Sequence, residues 1–340
     1  KEDRNLKRDL KILRFAALLH DIGHMPFSHA AEKFYLEDGG NHEDEQSTHE
    51  DIGKYIIEHL GIIREELEKN NISPANVASL LKGKCIQQLA VLKKFISDEF
   101  DADRADFLLR DSYFCGVKYG EYDYIRYAGS FRLVEREDGQ RVFAIERGNL
   151  HAVESFLLAR YHYYLQVPFH RTRKGYDLVL NRYFQDLKER NRLPDSGVRI
   201  KDASFEVDFD QFQLLDDYSI FELIKEDAAN KNTWARILMR QDRIHPIFDT
   251  EKDAESNKIN FLDLQNDLIE AGLKKDQDYF VFEKRIEVHK KLEKSDETGE
   301  GEYPVVDKAL GNKFVGNVLE HSSLLSSTQD NPVHIRRIYV

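Results

Sequence analysis

Three histidines and one aspartate fall within ten positions, His20-Asp21-Ile22-Gly23-His24-Met25-Pro26-Phe27-Ser28-His29. An apolar run, Phe15-Ala16-Ala17-Leu18-Leu19, leads into them, and Gly23 and Pro26 break the backbone behind the first pair. A histidine and an aspartate at the end of a buried apolar run are costly to desolvate unless something binds them. A divalent metal is the usual answer. Neutral imidazole beside carboxylate suits Mn, Fe, Ni, Co, Zn or a Mg site of mixed ligands. A His-Asp dipeptide is also a common surface pair, so this pair alone says little.

A second chemistry-bearing stretch is Asp101-Ala102-Asp103-Arg104-Ala105-Asp106-Phe107-Leu108-Leu109-Arg110-Asp111. At helical spacing Asp103, Asp106, Phe107 and Arg110 share one face. For Asp106 and Arg110 the ordinary reading is an exposed ion pair worth roughly a few tenths of a kcal/mol.

The elements that must position these residues are mostly helices. Asn5–Leu19 carries Leu6, Leu10, Leu13 and Ala17 on one face, the face expected to be buried. Pro26 in a first turn predicts a helix over Phe27–Tyr35. Glu37–Gln46 reads as a loop, with Ser47 or Thr48 capping an amphipathic helix through Ile52, Tyr55, Ile56, His59 and Leu60. Further helices are expected from Ser73-Pro74, over Gln87–Ile96, and over Asp101–Phe114 up to a stop at Gly116. Phe131–Val134 and Val142–Ile145 around Asp138-Gly139 form a hairpin. Long helices follow at Leu150–Gln166 and His170–Leu187, divided by Pro168. Beyond Pro194-Asp195-Ser196-Gly197, helices at Ser219–Glu226 and Thr233–Arg240 mix with short strands at Tyr279–Phe282, Ile286–His289 and His334–Val340. Glu293–Glu302 reads as a charged turn. The expected division is a helical catalytic region over 1–192 and an α+β region over 193–340.

The 340 residues suffice for a large core, and 33% charged residues against 41% hydrophobic ones describe a globular chain. No apolar run reaches the roughly 20 residues that span a bilayer. Two cysteines, Cys85 and Cys115, give no disulfide framework, and a cytoplasmic location is expected. The net charge of −12 argues against nucleic acid as a partner.

Taken in order, His20-Asp21, His24 and His29, Thr48-His49-Glu50 and Asp101-Ala102-Asp103-Arg104 resemble the HD-domain phosphohydrolases. Leu109-Arg110-Asp111-Ser112, Gly116-Val117-Lys118-Tyr119-Gly120 and Ala159-Arg160 continue the likeness. It narrows to the deoxynucleoside triphosphate triphosphohydrolase (dGTPase-like) branch. Leu215-Asp216-Asp217 and Ile335-Arg336-Arg337-Ile338-Tyr339-Val340 resemble its bacterial-type subgroup. The resemblance implies a mainly α fold: an HD-domain helical core with an appended smaller α+β C-terminal region.

It also implies roles. His20, Asp21 and Asp103 would ligate a divalent metal, and a further ligand histidine is expected upstream of Lys1. His24, His29 and His49 would surround the α-phosphate, with His29 as general acid and His49 and Glu50 tuning it. An imidazole titrating near neutral pH suits that task. Arg104 and Arg160 would hold the polyphosphate, and Asp111 the sugar 3′-hydroxyl. Water attack at the α-phosphorus would release nucleoside and triphosphate. Implied partners are the nucleotide substrate, an activating nucleotide and further copies of the chain, as a dimer or tetramer.

Two departures keep the substrate open. Phe107 stands where the family has a tyrosine under the sugar. Pro168 stands where it has the tyrosine that excludes a 2′-hydroxyl. Another nucleotide (a ribonucleotide, a monophosphate or a signalling nucleotide) and a catalytically silent nucleotide-binding subunit are the alternatives.

Overall fold

The chain opens with the helices α1 (Glu2–Leu19), α2 (His29–Leu36), α3 (His49–His59), α4 (Gly61–Lys69), α5 (Pro74–Leu81), α6 (Gln87–Lys93) and α7 (Ala102–Cys115). Next come α8 (Tyr124–Ala128), the hairpin β1 (Phe131–Glu135) and β2 (Arg141–Glu146), then α9 (Leu150–Gln166) and α10 (Arg171–Glu189). The chain continues through β3 (Val198–Lys201), β4 (Ser204–Val207), α11 (Phe209–Phe212), α12 (Asp217–Ala229), α13 (Thr233–Leu238) and β5 (Pro246–Thr250). It closes with α14 (Glu255–Glu270), β6 (Phe280–Ile286), β7 (Pro304–Asp307), β8 (Lys313–Asn317), α15 (Val318–His321), α16 (Ser323–Thr328) and β9 (Val333–Tyr339). The structure, a computed structural model, describes all residues except Lys1, 37–48, 86, 136–138, 140, 202–203, 252–254, 290–291, 293–302 and 329–331. The expected loop at Glu37–Gln46, the cap at Ser47 or Thr48, the turn residue Asp138 and the charged turn at Glu293–Glu302 lie outside the described residues. The fold is mainly α with an α+β C-terminal region, as expected.

Two compact units divide the chain, Lys1–Ile96 with Gly175–Ile244, and Ser97–Lys174 with His245–Val340. In the first unit, α3 serves two cores. Ile57 packs with Ile12 and Ala16 of α1 and with Val77 and Leu80 of α5. Ile52 and Ile56 pack with Phe34, Phe184 and Ile224. A helix held on both sides presents its N-terminal residue, His49, in a set direction. The buried side of α12 carries Asp227, which accepts from the Tyr183 hydroxyl at 2.9 Å and from Arg190 at 2.7 Å, with Arg192 closing on its other oxygen. Burial works against that carboxylate, but these donors hold it below the usual carboxylate range.

Within the second unit β1 and β2 form the expected antiparallel hairpin, and β2 also pairs in parallel with β7, which pairs with β8. A separate sheet has β9 between β5 and β6, both antiparallel to it. Being central, β9 buries Arg336 and Arg337. The Arg337 Nε donates to Asp249 at 2.6 Å, and Arg336 donates to Glu283 at 2.7 Å. Buried guanidinium groups require such partners.

Four local expectations change. In α1 the buried apolar residues are Ile12 and Ala16, while Leu6 and Leu10 are more than half exposed. The helix carries two apolar stripes, and α5 and α6 select the one they cover. The second helix begins at His29, not Phe27, because Phe27 and Ser28 take left-handed backbone angles of 57° and 55°. The chain from Leu60 onward starts a separate helix, α4, after an extended Leu60. Ile286–His289 is no strand of its own: Ile286 ends β6.

Candidate active site

Leu19 ends α1, and His20 and Asp21 follow in the turn that closes it. The His20 Nδ1–H donates to the Ala17 carbonyl at 2.9 Å. Its Nε2 lies 3.2 Å from Asp21 Oδ1. The same carboxylate oxygen is 3.4 Å from His24 Nε2. Asp21 is 58% exposed, so the desolvation argument from sequence does not hold for it. Its hydrogen bond to His24 instead dominates and lowers its pKa against the opposing effect of burial. An imidazole nitrogen with its tautomer set by a backbone carbonyl, beside an accessible carboxylate, is a donor pair that fits a divalent cation.

Behind this pair the chain makes a close approach. A Cβ on Gly23 would lie 2.0 Å from the His49 carbonyl oxygen, so glycine there lets the His24 turn pack against the start of α3. Three imidazoles then converge. The Nδ1 atoms of His24, His29 and His49 lie 3.0, 3.1 and 3.0 Å from a single oxygen, Glu32 Oε1. The His24 and His49 rings stack at 3.8 Å, and His29 meets both edge-on.

Burial disfavours charge on His24, but Asp21 and Glu32 outweigh it and raise its pKa to about 9. Glu32 is driven far below the usual carboxylate range by its three histidine partners, again against burial. The cluster therefore carries an ionised carboxylate and at least one imidazolium at neutral pH. His29 is the exposed member at 73%, and with Nδ1 turned to Glu32 its Nε2 is the nitrogen left for a substrate. The four side chains could also hold a metal ion.

Glu32 was missed in sequence. Its signal was present, one helical turn after His29, but an acid following a histidine by three residues is commonplace. The carboxylate shared by the imidazoles is Glu32, while Glu50 sits beside His49 in the first turn of α3. The loop joining His24 to His29 is strained, since two successive non-glycine residues in the left-handed region cost about 1–2 kcal/mol each.

The remaining expected residues lie in the second unit. Asp103 and Arg104 are in the first turn of α7, whose N-cap is Asp101 and whose stop is Gly116 at φ 68°. The Arg104 guanidinium donates to the Asp101 carboxylate and the Asp98 carbonyl. Burial pushes Asp101 up to about 6, with Arg104 opposing. The Phe107 ring centroid is 5.8 Å from that of Tyr163, and the Tyr163 hydroxyl donates to Asp111. Arg160 is 6% exposed and donates to Glu99 Oε1 at 2.5 Å and to the Val288 carbonyl at 3.0 Å. Holding a polyphosphate there would compete with a closed ion pair. Asp106 and Arg110 form the exposed ion pair that their spacing suggests, at 2.7 Å. Pro168 falls in the turn between α9 and α10, as expected of a helix breaker.

The family model for the HD domain matches residues 2–94. YwfO of Bacillus subtilis strain 168 is 35% identical over 185 residues, 54% of this chain and 38% of that protein. A deoxynucleoside triphosphate triphosphohydrolase SAMHD1 homolog of Dictyostelium discoideum is 33% identical over 118 residues, 32% of this chain and 22% of its own length. The crystal structure of a hypothetical protein from Aquifex aeolicus superposes with a TM-score of 0.72 at 26% identity, covering 97% of this chain and 76% of that one. The matched stretch spans less than half the length of the first curated relatives. No helix among the described residues is long and apolar enough to cross a membrane. The His-Asp pair that closes α1 lies inside the stretch that matches the HD-domain model.

Proposed function

We propose that the chain hydrolyses deoxynucleoside triphosphates to nucleoside and triphosphate. The observation that carries this reading is the convergence of His24, His29 and His49 on Glu32 beside the His20–Asp21 pair. From the resemblance, His20, Asp21 and Asp103 would be the ligands of a divalent ion, which would supply Lewis acidity and a lowered water pKa. His29 gives a proton from Nε2 to the departing 5′ oxygen, and Glu32 steadies the imidazolium through Nδ1. His24, cationic at neutral pH, offers positive charge to the α-phosphate, with His49 stacked on it. Glu50 tunes His49 from the same helical turn.

From the resemblance, Arg104 holds the polyphosphate, Phe107 packs under the sugar and Asp111 accepts its 3′-hydroxyl, while Arg160, also implied for the polyphosphate, is already engaged by Glu99. The similarity to the Dictyostelium discoideum deoxynucleoside triphosphate triphosphohydrolase SAMHD1 homolog supports the substrate class. The test is a nucleotide panel with several divalent metals, scored for intact tripolyphosphate. Release of only pyrophosphate or orthophosphate from every nucleotide would refute the reaction.

Phe107 and Pro168 favour a second reading, in which the same chemistry acts on another nucleotide. Turnover of deoxy and ribo substrates at equal concentration separates the two, and a clear deoxy preference removes the second.

A further inference from the structure

The loop between His24 and His29 is held from far along the chain. The Phe27 N–H donates to Asp217 Oδ1 at 2.8 Å, across 190 residues. Asp217 is the first residue of α12, whose N-terminus is set by a reciprocal capping box between Asp216 and Ser219. Farther along, Asp227 ties the same helix to Tyr183, Arg190 and Arg192. The Phe27 ring meets the Phe221 ring of α12 edge-on at 5.2 Å and Phe184 at 6.4 Å. One helix thus supplies both a hydrogen-bond acceptor and an aromatic seat to a residue with φ 57°.

This conformation has a consequence for the histidines. The Ser28 N–H donates to the Met25 carbonyl at 2.8 Å, closing a turn, and the Ala31 N–H donates to the Ser28 carbonyl at 3.1 Å, opening α2. Left-handed residues at 27 and 28 thereby delay the helix to His29. His24 and His29, five apart, can then both reach Glu32. A helix running unbroken from Phe27 would change the direction in which His29 leaves the backbone.

We propose that Asp217 is a positioning residue for the histidine cluster, holding Phe27 and Ser28 in the left-handed conformation that aims His24 and His29 at Glu32. The catalytic part of this statement rests on the reading of that cluster given above. The clamp itself is a separate claim about the backbone.

The test compares Asp217→Ala, Asp217→Asn and the double variant Asp217→Ala with Ser28→Gly in the full chain. Asp217→Ala should speed hydrogen exchange at the Phe27 amide by about tenfold or more. It should lower kcat by about 10- to 100-fold with KM changed less than about twofold, and leave metal content and Tm near their original values. Asparagine keeps an acceptor oxygen and should restore most of both losses. Glycine at 28 adopts the left-handed conformation without strain, so the double variant should regain part of kcat, short of the share lost with the Ser28 hydroxyl that lies 3.2 Å from His24 Nδ1. Unchanged exchange and kcat in Asp217→Ala would overturn the proposal, as would Asp217→Asn falling as far as alanine. A kcat loss that only tracks a fall in Tm would also overturn it. Should the unsubstituted chain turn over no nucleotide, the functional reading fails, and the exchange measurement alone still decides the clamp.

Discussion

In the first unit a single carboxylate, Glu32, serves three imidazoles, one of them largely exposed. In the second, Arg160 is buried against Glu99, with the Glu99 and Val288 carbonyls completing its bonds. The two arrangements are built for different ends. A shared carboxylate with imidazole partners can pass protons, because each imidazole has a second nitrogen that can take up or give up a proton. A guanidinium does not titrate in the working range, so a buried arginine paired with its own carboxylate is a fixture of the scaffold. Charge alone does not mark a working site; a partner that can change its state does.

The largest effect should come from Glu32→Gln, which removes the charge holding the imidazolium while keeping the side chain's shape. Turnover should fall about 10²- to 10⁴-fold with Tm little changed, measured on the best nucleotide of the panel. Retention of bound metal would keep the cluster a proton relay; loss of metal along with turnover would make it a metal site.

Next in size, Glu99→Ala should destabilise the chain by about 3–5 kcal/mol in denaturant unfolding, since Arg160 is left buried and unpaired. Adding Arg160→Met should recover much of that loss. A rise in KM without loss of stability would instead return Arg160 to the substrate.

Smallest, Asp106→Asn should change stability by less than about 0.5 kcal/mol, because its pair with Arg110 is exposed. A loss of several kcal/mol would mean that the exposed face of α7 does more than meet water.

Much of the local structure was legible. The stop at Gly116, the hairpin, the division of α9 from α10 at Pro168 and the HD pair at a helix end follow from signals a few residues long. The errors share one cause. Leu6 and Leu10 match a helical face as well as Ile12 and Ala16 do, and only the neighbouring helices choose between them. Pro26 suits a first helical turn, but Asp217 holds Phe27 outside the helix from 190 residues away. Glu32 is one of 62 acidic residues, and nothing near it in sequence shows that three histidines will meet it.

The sequence by itself determined the kind of chemistry, since histidines and an aspartate at these spacings limit what can be bound or protonated. It also determined most element boundaries, which depend on interactions within about one turn of helix. Tertiary structure decided which carboxylate the imidazoles share, which arginines are scaffold, and what holds the loop between His24 and His29. Those are contacts between residues far apart in the chain, selected by packing, and packing compares alternatives that local sequence leaves nearly equal in energy.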